Sequence, residues 1–179
     1  MKKAFLASTL AILITGCSNS DTDIIKSGVM DFNQTTTLGQ VFDNWNSCKN
    51  KNWAEFETGN GVRVVEFKCS HDVSNFFNEV KSLLPKEELS TYNEKGILDI
   101  ASSIEVFQFT INKDGSFQID NVQSTTTWTD GKSIKASEKP IEKLKVAYNN
   151  QLAYDFNELS DLDAAKIAYL FLLMKGQAK

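Results

Sequence analysis

Cys48 and Cys69 constrain the fold more than any other feature. A helical pattern and a strand pattern predict that the two sulfurs face the same core. Apolar residues with the spacing of one helix face lead up to Cys48. Cys69 alternates with Phe67 on one face of a strand. A disulfide between them would join a helix to a strand. Two buried free thiols and two ligands of a metal site are the alternatives, but the single histidine, His71, leaves a tetrahedral zinc site short of ligands.

The first sixteen residues have the three parts of a secretory signal peptide. Lys2 and Lys3 form a positive n-region, residues 4–14 form an apolar run, and small residues lead into Cys17. An N-terminal membrane helix is an alternative, but the run is shorter than the roughly 20 residues that a helix needs to cross a bilayer. Export to an oxidising compartment favours a disulfide between the other two cysteines. Closing that loop is worth about 3 kcal/mol of stability on the chain-entropy model.

The end of this segment, Leu13-Ile14-Thr15-Gly16-Cys17, resembles the lipobox of bacterial lipoproteins. The resemblance implies cleavage before Cys17 and attachment of diacylglyceryl and acyl chains, such as palmitate, to that cysteine. Ser18 rather than Asp follows it, which resembles the outer-membrane sorting class of Gram-negative lipoproteins. The resemblance therefore implies a lipid-anchored protein of the outer membrane that faces the periplasm. In a Gram-positive host, the protein would instead face outward from its one membrane.

The chain divides into three segments: a signal peptide at residues 1–16, the lipidated cysteine with a short polar tether at residues 17–27, and one globular domain at residues 28–179. A mature chain that lacks sixteen of the 179 residues has the length of one domain and folds without a metal. Eleven of the twelve Phe residues remain in it, which indicates a well-packed core.

Periodicity predicts an α+β domain, in which helices pack on one face of an antiparallel sheet of hairpins. Asn60-Gly61 and Asn112-Lys113-Asp114-Gly115 are typical hairpin turns. Residues 85–102 lack clear periodicity and are expected to form a connection. The predicted elements are a helix at 38–45, strands at 53–57 and 62–69, a helix at 73–84, strands at 104–111, 117–128 and 133–135, and helices that start at 140 and 161.

The globular domain also resembles uncharacterised lipoproteins in which a TTxGxxFxxW helix precedes a hairpin with a C…W…NG…VxFxC pattern. The matching residues here are Thr36-Thr37-Leu38-Gly39, Phe42, Trp45, Cys48, Trp53, Asn60-Gly61, Val65, Phe67 and Cys69. This resemblance implies no activity.

No catalytic, cofactor-binding or metal-binding residue emerges from the motifs, so we predict that the protein is not an enzyme. Residues 112–116 begin like a calcium loop, but Gln123 stands where the bidentate Glu is needed, which favours a plain β-turn. His71 has no nucleophile beside it in sequence and is expected to be a solvated linker residue. An envelope hydrolase remains an alternative because carboxylates are plentiful, namely Glu55, Glu57, Asp72, Glu79, Asp114, Glu158, Asp161 and Asp163.

The last helix contains an apolar run at residues 167–174 that is apolar all round. Eight residues cannot span a membrane. Either this helix is central to the core, which is the favoured interpretation, or one face is exposed for a partner. Tyr169, Leu170 and Leu173 are the candidate partner surface.

Net charge limits the partners. The formal charge is −4, and it becomes −6 once the signal peptide removes Lys2 and Lys3 and no acid. An acidic domain is repelled by nucleic acid, so none is expected as a partner. We expect a membrane-anchored, non-catalytic binding or assembly module with a protein partner in the envelope. An acidic inhibitor or immunity-type protein that masks a cationic enzyme is the alternative.

Overall fold

The computed structural model describes residues 20–179. The predicted signal peptide and the candidate lipid-bearing Cys17 lie outside the described residues. The helices and strands follow one another as α1 (Asp21–Ser27), α2 (Leu38–Asp43), β1 (Cys48–Glu57), β2 (Arg63–His71), α3 (Ser74–Leu83), α4 (Lys86–Glu94), β3 (Ile100–Ile111), β4 (Phe117–Trp128), β5 (Ser133–Ser137), α5 (Pro140–Tyr148) and α6 (Asp161–Gln177).

The five strands form one antiparallel sheet in the order β1-β2-β3-β4-β5, so each strand pairs with its neighbours in sequence. This confirms the predicted sheet of hairpins. Gly61, with a φ of 77°, turns the chain between β1 and β2 as the Asn-Gly pair predicts. Between β3 and β4, Ser116 donates its N–H and its hydroxyl to Asp114 in a plain turn. The one-domain α+β fold class is confirmed as well.

One face of the sheet is covered by α1, α2 and α5 and forms the first hydrophobic cluster. Side chains of β2 and β3 alternate into it, and Phe42 of α2 lies against Phe67 with ring centroids 4.2 Å apart. Trp45 is fully buried and donates its indole N–H to Gln151 O at 2.8 Å. The buried members are Ile25, Leu38, Val41, Phe42, Trp45, Cys48, Val65, Phe67, Cys69, Phe107, Phe109, Ile111, Val122, Leu144 and Ala147.

A second hydrophobic cluster lies where α3, α4 and α6 meet. Its buried members are Val73, Phe76, Phe77, Val80, Leu84, Ile97, Leu98, Ala164 and Ala168. Small residues of α6 allow the helix to approach closely, and Phe171 of α6 contacts Phe77 edge-on at 4.8 Å between ring centroids. The C-terminus is fixed by two backbone hydrogen bonds between Lys179 and Ser133.

The structure differs from the expected tether at residues 21–27, which form α1. Ser20 and Asp23 form a capping box at the start of this helix. The segment is polar, and its composition is typical of a linker. Ile25 is fully buried, and Arg63 of β2 forms an ion pair with Asp21. Residues 21–27 are therefore part of the fold.

Cys48 and Cys69 form the predicted disulfide, with their Cα atoms 5.2 Å apart. Its setting differs from the prediction, because α2 ends at Asp43 and Cys48 is the first residue of β1. The bond therefore joins two neighbouring strands, next to a register shift between Cys48 and Asn50. Since both sulfurs are bonded to each other, the thiol and metal-ligand alternatives are removed.

Residues 85–102 also contain more regular structure than predicted. They hold α4 and the start of β3, which begins at Ile100 rather than 104. None of the side chains of α4 is buried, so its sequence carries no clear apolar stripe. No helix within residues 20–179 has both the length and the apolar character to cross a membrane.

Candidate functional site

The inner face of the sheet changes from apolar to polar between the two hydrophobic clusters. Phe67 and Phe107 are cross-strand neighbours in the apolar part. The next two rows along the strands are Cys69–Glu105–Ser124 and His71–Ser103–Thr126. Because neighbours in a row share one face of the sheet, the strands alone bring these polar side chains together beneath α5 and α6.

Glu105 is the centre of this polar region and is only 3 % exposed. Its Oε1 lies 3.0 Å from Lys143 Nζ of α5, and its Oε2 lies 3.5 Å from His71 Nε2. The Lys143 ammonium is the partner of Oε1, which has no other donor among the described residues. A buried carboxylate oxygen in this state has capacity for a further donor.

His71 joins the carboxylate to the loop before β1. The structure differs here from the expected solvated linker, because His71 is the last residue of β2 and is only 8 % exposed. Its Nδ1 lies 2.9 Å from Ser47 Oγ and 3.5 Å from Cys69 Sγ. The disulfide, the imidazole and Glu105 therefore form one continuous contact network.

A cleft of about 250 Å³ opens onto this network. Tyr154 closes one side of it and shares a 2.8 Å hydrogen bond with Ser103. Glu138 lies at another side and accepts a hydrogen bond from Ser124 Oγ at 2.7 Å. The remaining wall is apolar and includes Phe171 and Met174 from α6. The cleft thus combines a charged floor with an apolar wall.

The charges in the cleft support one another. Burial alone would raise the pKa of Glu105, but the contact with His71 and the charge of Lys143 outweigh it and hold that pKa below its usual value. Burial would lower the pKa of Lys143, and the Glu105 charge instead holds it above its usual value. Burial raises the pKa of Tyr154, so its hydroxyl stays protonated as a hydrogen-bonding group. At neutral pH the floor holds a carboxylate, an ammonium and a phenol.

Ser47, His71 and Glu105 lie in contact in that order, and they have the residue types of a nucleophile, a base and an orienting acid. Ser47 Oγ, however, accepts a hydrogen bond from the Ala153 N–H at 2.9 Å, and Ser47 is itself buried. This contact fixes the hydroxyl to the loop after α5 and uses one of its two lone pairs. The three side chains therefore link β2 and β3 to the loop before β1 and to the loop after α5.

The opposite side of α6 carries the second candidate site. Tyr169, Leu170 and Leu173 are 54 %, 55 % and 48 % exposed, so the structure places all three predicted partner residues at the surface. At 3.6 residues per turn they share one face with Leu162, which is also exposed. The predicted core role holds for the other face, where Ala164 and Ala168 are buried. The outward face combines these apolar side chains with Lys166, which is exposed and lies 3.8 Å from Asp163.

The segment that leads into α6 adds charge to this surface. Residues 150–163 contain four acids and no basic residue. Leu152 and Phe156 in the same segment are exposed large apolar side chains. Apolar and acidic side chains therefore lie together on this part of the chain, outside the cleft.

Glu105 and Lys143 were not candidates from sequence, although one signal for Glu105 was present. The alternation that places Phe107 and Phe109 inside also places Glu105 and Ser103 inside. A charged residue on the buried face of a strand marks a partner or a site. Lys143 gives no such signal, because its contact with Glu105 depends on how α5 crosses the sheet.

Among residues 20–179, no group of three or more His, Cys, Asp and Glu side chains is placed to hold a metal ion. Comparison of the chain with protein-family models, with curated proteins and with solved structures finds no match.

Proposed function

We propose that this protein is a lipid-anchored envelope lipoprotein that acts as a non-catalytic binding module for a protein partner. The observation that carries the proposal is the outward face of α6, where Leu162, Tyr169, Leu170 and Leu173 are exposed on a helix whose other face is buried. Tyr is enriched at the centres of protein interfaces, and a contiguous exposed apolar patch marks an interaction site. The anchor is Cys17, and the expected location is the periplasmic side of the outer membrane.

The charge around α6 defines the chemistry of the partner. Four acids lie in residues 150–163, immediately before and at the start of the apolar face, and Lys166 on that face is paired with one of them, Asp163, at 3.8 Å. Opposite charge on the partner steers the encounter, and apolar contact supplies affinity. We therefore propose a partner that presents an apolar patch with a basic rim. An inhibitor that masks a cationic enzyme would use the same surface, and it is the alternative function.

The hydrolase alternative is less well supported. A glycoside hydrolase needs a carboxylic acid whose pKa is raised so that it can donate a proton. The pKa of Glu105 lies below its usual value, so this carboxylate is ionised and suited to pairing with a cation.

The lipid would hold the domain close to the bilayer. Three residues, 18–20, separate Cys17 from Asp21 at the start of α1. A fully extended chain spans about 3.5 Å per residue, so α1 would begin within about 14 Å of the anchored cysteine. The partner surface on α6 would then meet other membrane-anchored or periplasmic proteins near the membrane.

Replacing Cys17 tests whether the protein is anchored by a lipid. We expect Cys17→Ser to abolish metabolic labelling with palmitate and to leave an unprocessed precursor, because the serine cannot receive the thioether-linked lipid. Ser18→Asp should keep the label but move the protein to the inner membrane on fractionation. A Cys17→Ser protein that is still cleaved and still labelled would exclude the anchor.

In-cell crosslinking tests the partner surface. A photoreactive amino acid at position 170 should capture one envelope protein, and the same group at the exposed position 87 of α4 is the control. Leu173→Asp should reduce capture at position 170 by about tenfold, the size expected for one interface anchor. Asp161→Asn with Glu158→Gln should reduce it as well, because these changes remove charge that attracts a basic partner.

The identity and behaviour of the captured protein decide the outcome. A basic partner whose capture falls with salt supports the proposal, and loss of that partner's enzymatic activity on binding would select the inhibitor alternative. Equal capture at positions 170 and 87, or capture that none of the three substitutions changes, would refute a binding surface on α6.

A further inference from the structure

The cleft beside Glu105 is not part of the proposed docking surface. Phe171 and Met174 enter the cleft from the inward side of α6, whereas Leu170 and Leu173 face solvent on the outward side. A ligand in the cleft and a partner on the outward face therefore use different atoms. The cleft needs its own explanation, which goes beyond the proposed function.

We propose that this cleft is a binding site for a compact organic cation, a primary ammonium group on a short alkyl chain. The cation would donate hydrogen bonds to Glu105 and Glu138, and its alkyl chain would lie along the apolar wall.

The strongest argument is the spare acceptor capacity of Glu105 at the floor of the cleft. Glu105 is only 3 % exposed, and its Oε1 has the Lys143 ammonium 3.0 Å away and no other donor among the described residues. A carboxylate oxygen has two lone pairs, so one partner does not fill its capacity. An ammonium group has three donors, so it can bind Glu105 and also donate to another acceptor in the cleft, such as Glu138.

The balance of charge in the cleft selects a cation over an anion. Glu105 and Glu138 carry two negative charges, and Lys143 is the one lysine or arginine that lines the cleft. Lys143 is already paired with Glu105 at 3.0 Å. An added anion would leave three negative charges around a single ammonium, whereas an added cation would pair the second carboxylate. Electrostatics therefore favours a ligand of charge +1.

The second half of the ligand is set by the apolar wall and by size. Phe171, Met174 and Ala153 provide surface that suits methylene groups, and the aromatic rings of Phe171 and Tyr154 can also stabilise a nearby cation. The volume of about 250 Å³ is below the range of drug-sized sites, about 300–1,000 Å³, so it suits a ligand of few heavy atoms.

Three ligands of one size and different charge test this assignment. The mature, lipid-anchored protein in detergent, isotopically labelled, is titrated with n-butylammonium, 1-butanol or butyrate and followed by NMR. We expect n-butylammonium to shift the signals of Ser103, Glu105 and Tyr154 saturably with a millimolar Kd, which a ligand of this size can reach. Both uncharged butanol and anionic butyrate should bind at least about tenfold more weakly, because they lack the charge that the carboxylates pair.

Substitutions then show that the shifts arise in the cleft. Glu105→Gln breaks contacts with His71 and Lys143 and can unfold the protein, so Glu138→Gln is the informative variant. We expect it to weaken n-butylammonium binding by about tenfold. Glu142→Gln, which removes an exposed carboxylate of α5 paired with Lys139, should leave binding unchanged.

Each other outcome refutes the assignment in a specific way. Equal binding of 1-butanol would show an apolar site without charge recognition, and tighter binding of butyrate would show an anion site at Lys143. No saturable shift of cleft signals, or equal weakening by Glu138→Gln and Glu142→Gln, would show that the cleft does not bind cations.

Discussion

Truncation after Asn157, which deletes α6, is expected to unfold the protein rather than only to abolish partner binding. The deletion removes Ala164, Ala168 and Phe171, which fill one side of the second hydrophobic cluster. Lys175 is lost with them, and its ammonium donates to the carbonyls of Lys95 and Gly96 at 2.7 and 2.8 Å. The cluster would be opened to water along the whole length of the helix.

The size of the effect exceeds what a domain of this length can tolerate. Each large side chain that loses its contacts costs about 2–5 kcal/mol. Partly buried Ile167, Phe171 and Leu172 all pack against the second cluster. The total stability of a domain is about 5–15 kcal/mol, so losing three such side chains removes most of it. Circular dichroism with a thermal melt should show loss of the cooperative transition.

Two adjacent residues supply the control. Phe171→Ala removes an inward side chain that contacts Phe77 and Trp128, and we expect it to lower Tm clearly. Leu170→Ala changes an outward side chain that is 55 % exposed, and its stability should stay within about 0.5 kcal/mol of wild type. If the truncated protein melts cooperatively near the wild-type temperature, α6 is not part of the core and serves only as an interaction helix.

The strands were predictable because their signal is local. Alternation along β3 and β4 and the Asn-Gly and Asp-Gly turns define the β1–β2 hairpin and the β3-β4-β5 meander. The pairing of β2 with β3 has no such local signal, because α3 and α4 separate the two strands in sequence. The helices were less predictable where their residues contact the core at few points. Ile25 is the only buried residue of α1, and no side chain of α4 is buried. The sequences of these two helices therefore lack an apolar stripe that would predict them.

The candidate sites depend on contacts that sequence does not encode locally. The exposed face of α6 was identified from sequence because an all-round apolar helix must either be fully buried or present a face to a partner. The cleft was missed because Glu105 and Lys143 are 38 positions apart and meet only when α5 crosses the sheet. The alternation predicts the end of β2 at residue 69, two residues before its observed end at His71, and therefore places His71 in solvent.

Removing the disulfide is expected to have the second largest effect. The bond closes a loop between residues 21 positions apart, which on the chain-entropy model is worth about 3 kcal/mol through the unfolded state. We therefore expect Cys48→Ala with Cys69→Ala to lower the unfolding free energy by about 3 kcal/mol. For a domain of this length that corresponds to a decrease in Tm of roughly 6–12 °C.

Reductant provides a matched control because it breaks the same bond without changing any residue. Adding it should lower the Tm of the wild-type protein by nearly the same amount and leave the double-alanine variant unchanged. The cleft should respond too, since Cys69 Sγ contacts the His71 ring at 3.5 Å and His71 contacts Glu105. A wild-type Tm that does not change with reductant would show that the bond between β1 and β2 does not stabilise the fold. Equal reaction of the two cysteines with maleimide before and after reduction would show that the bond is absent.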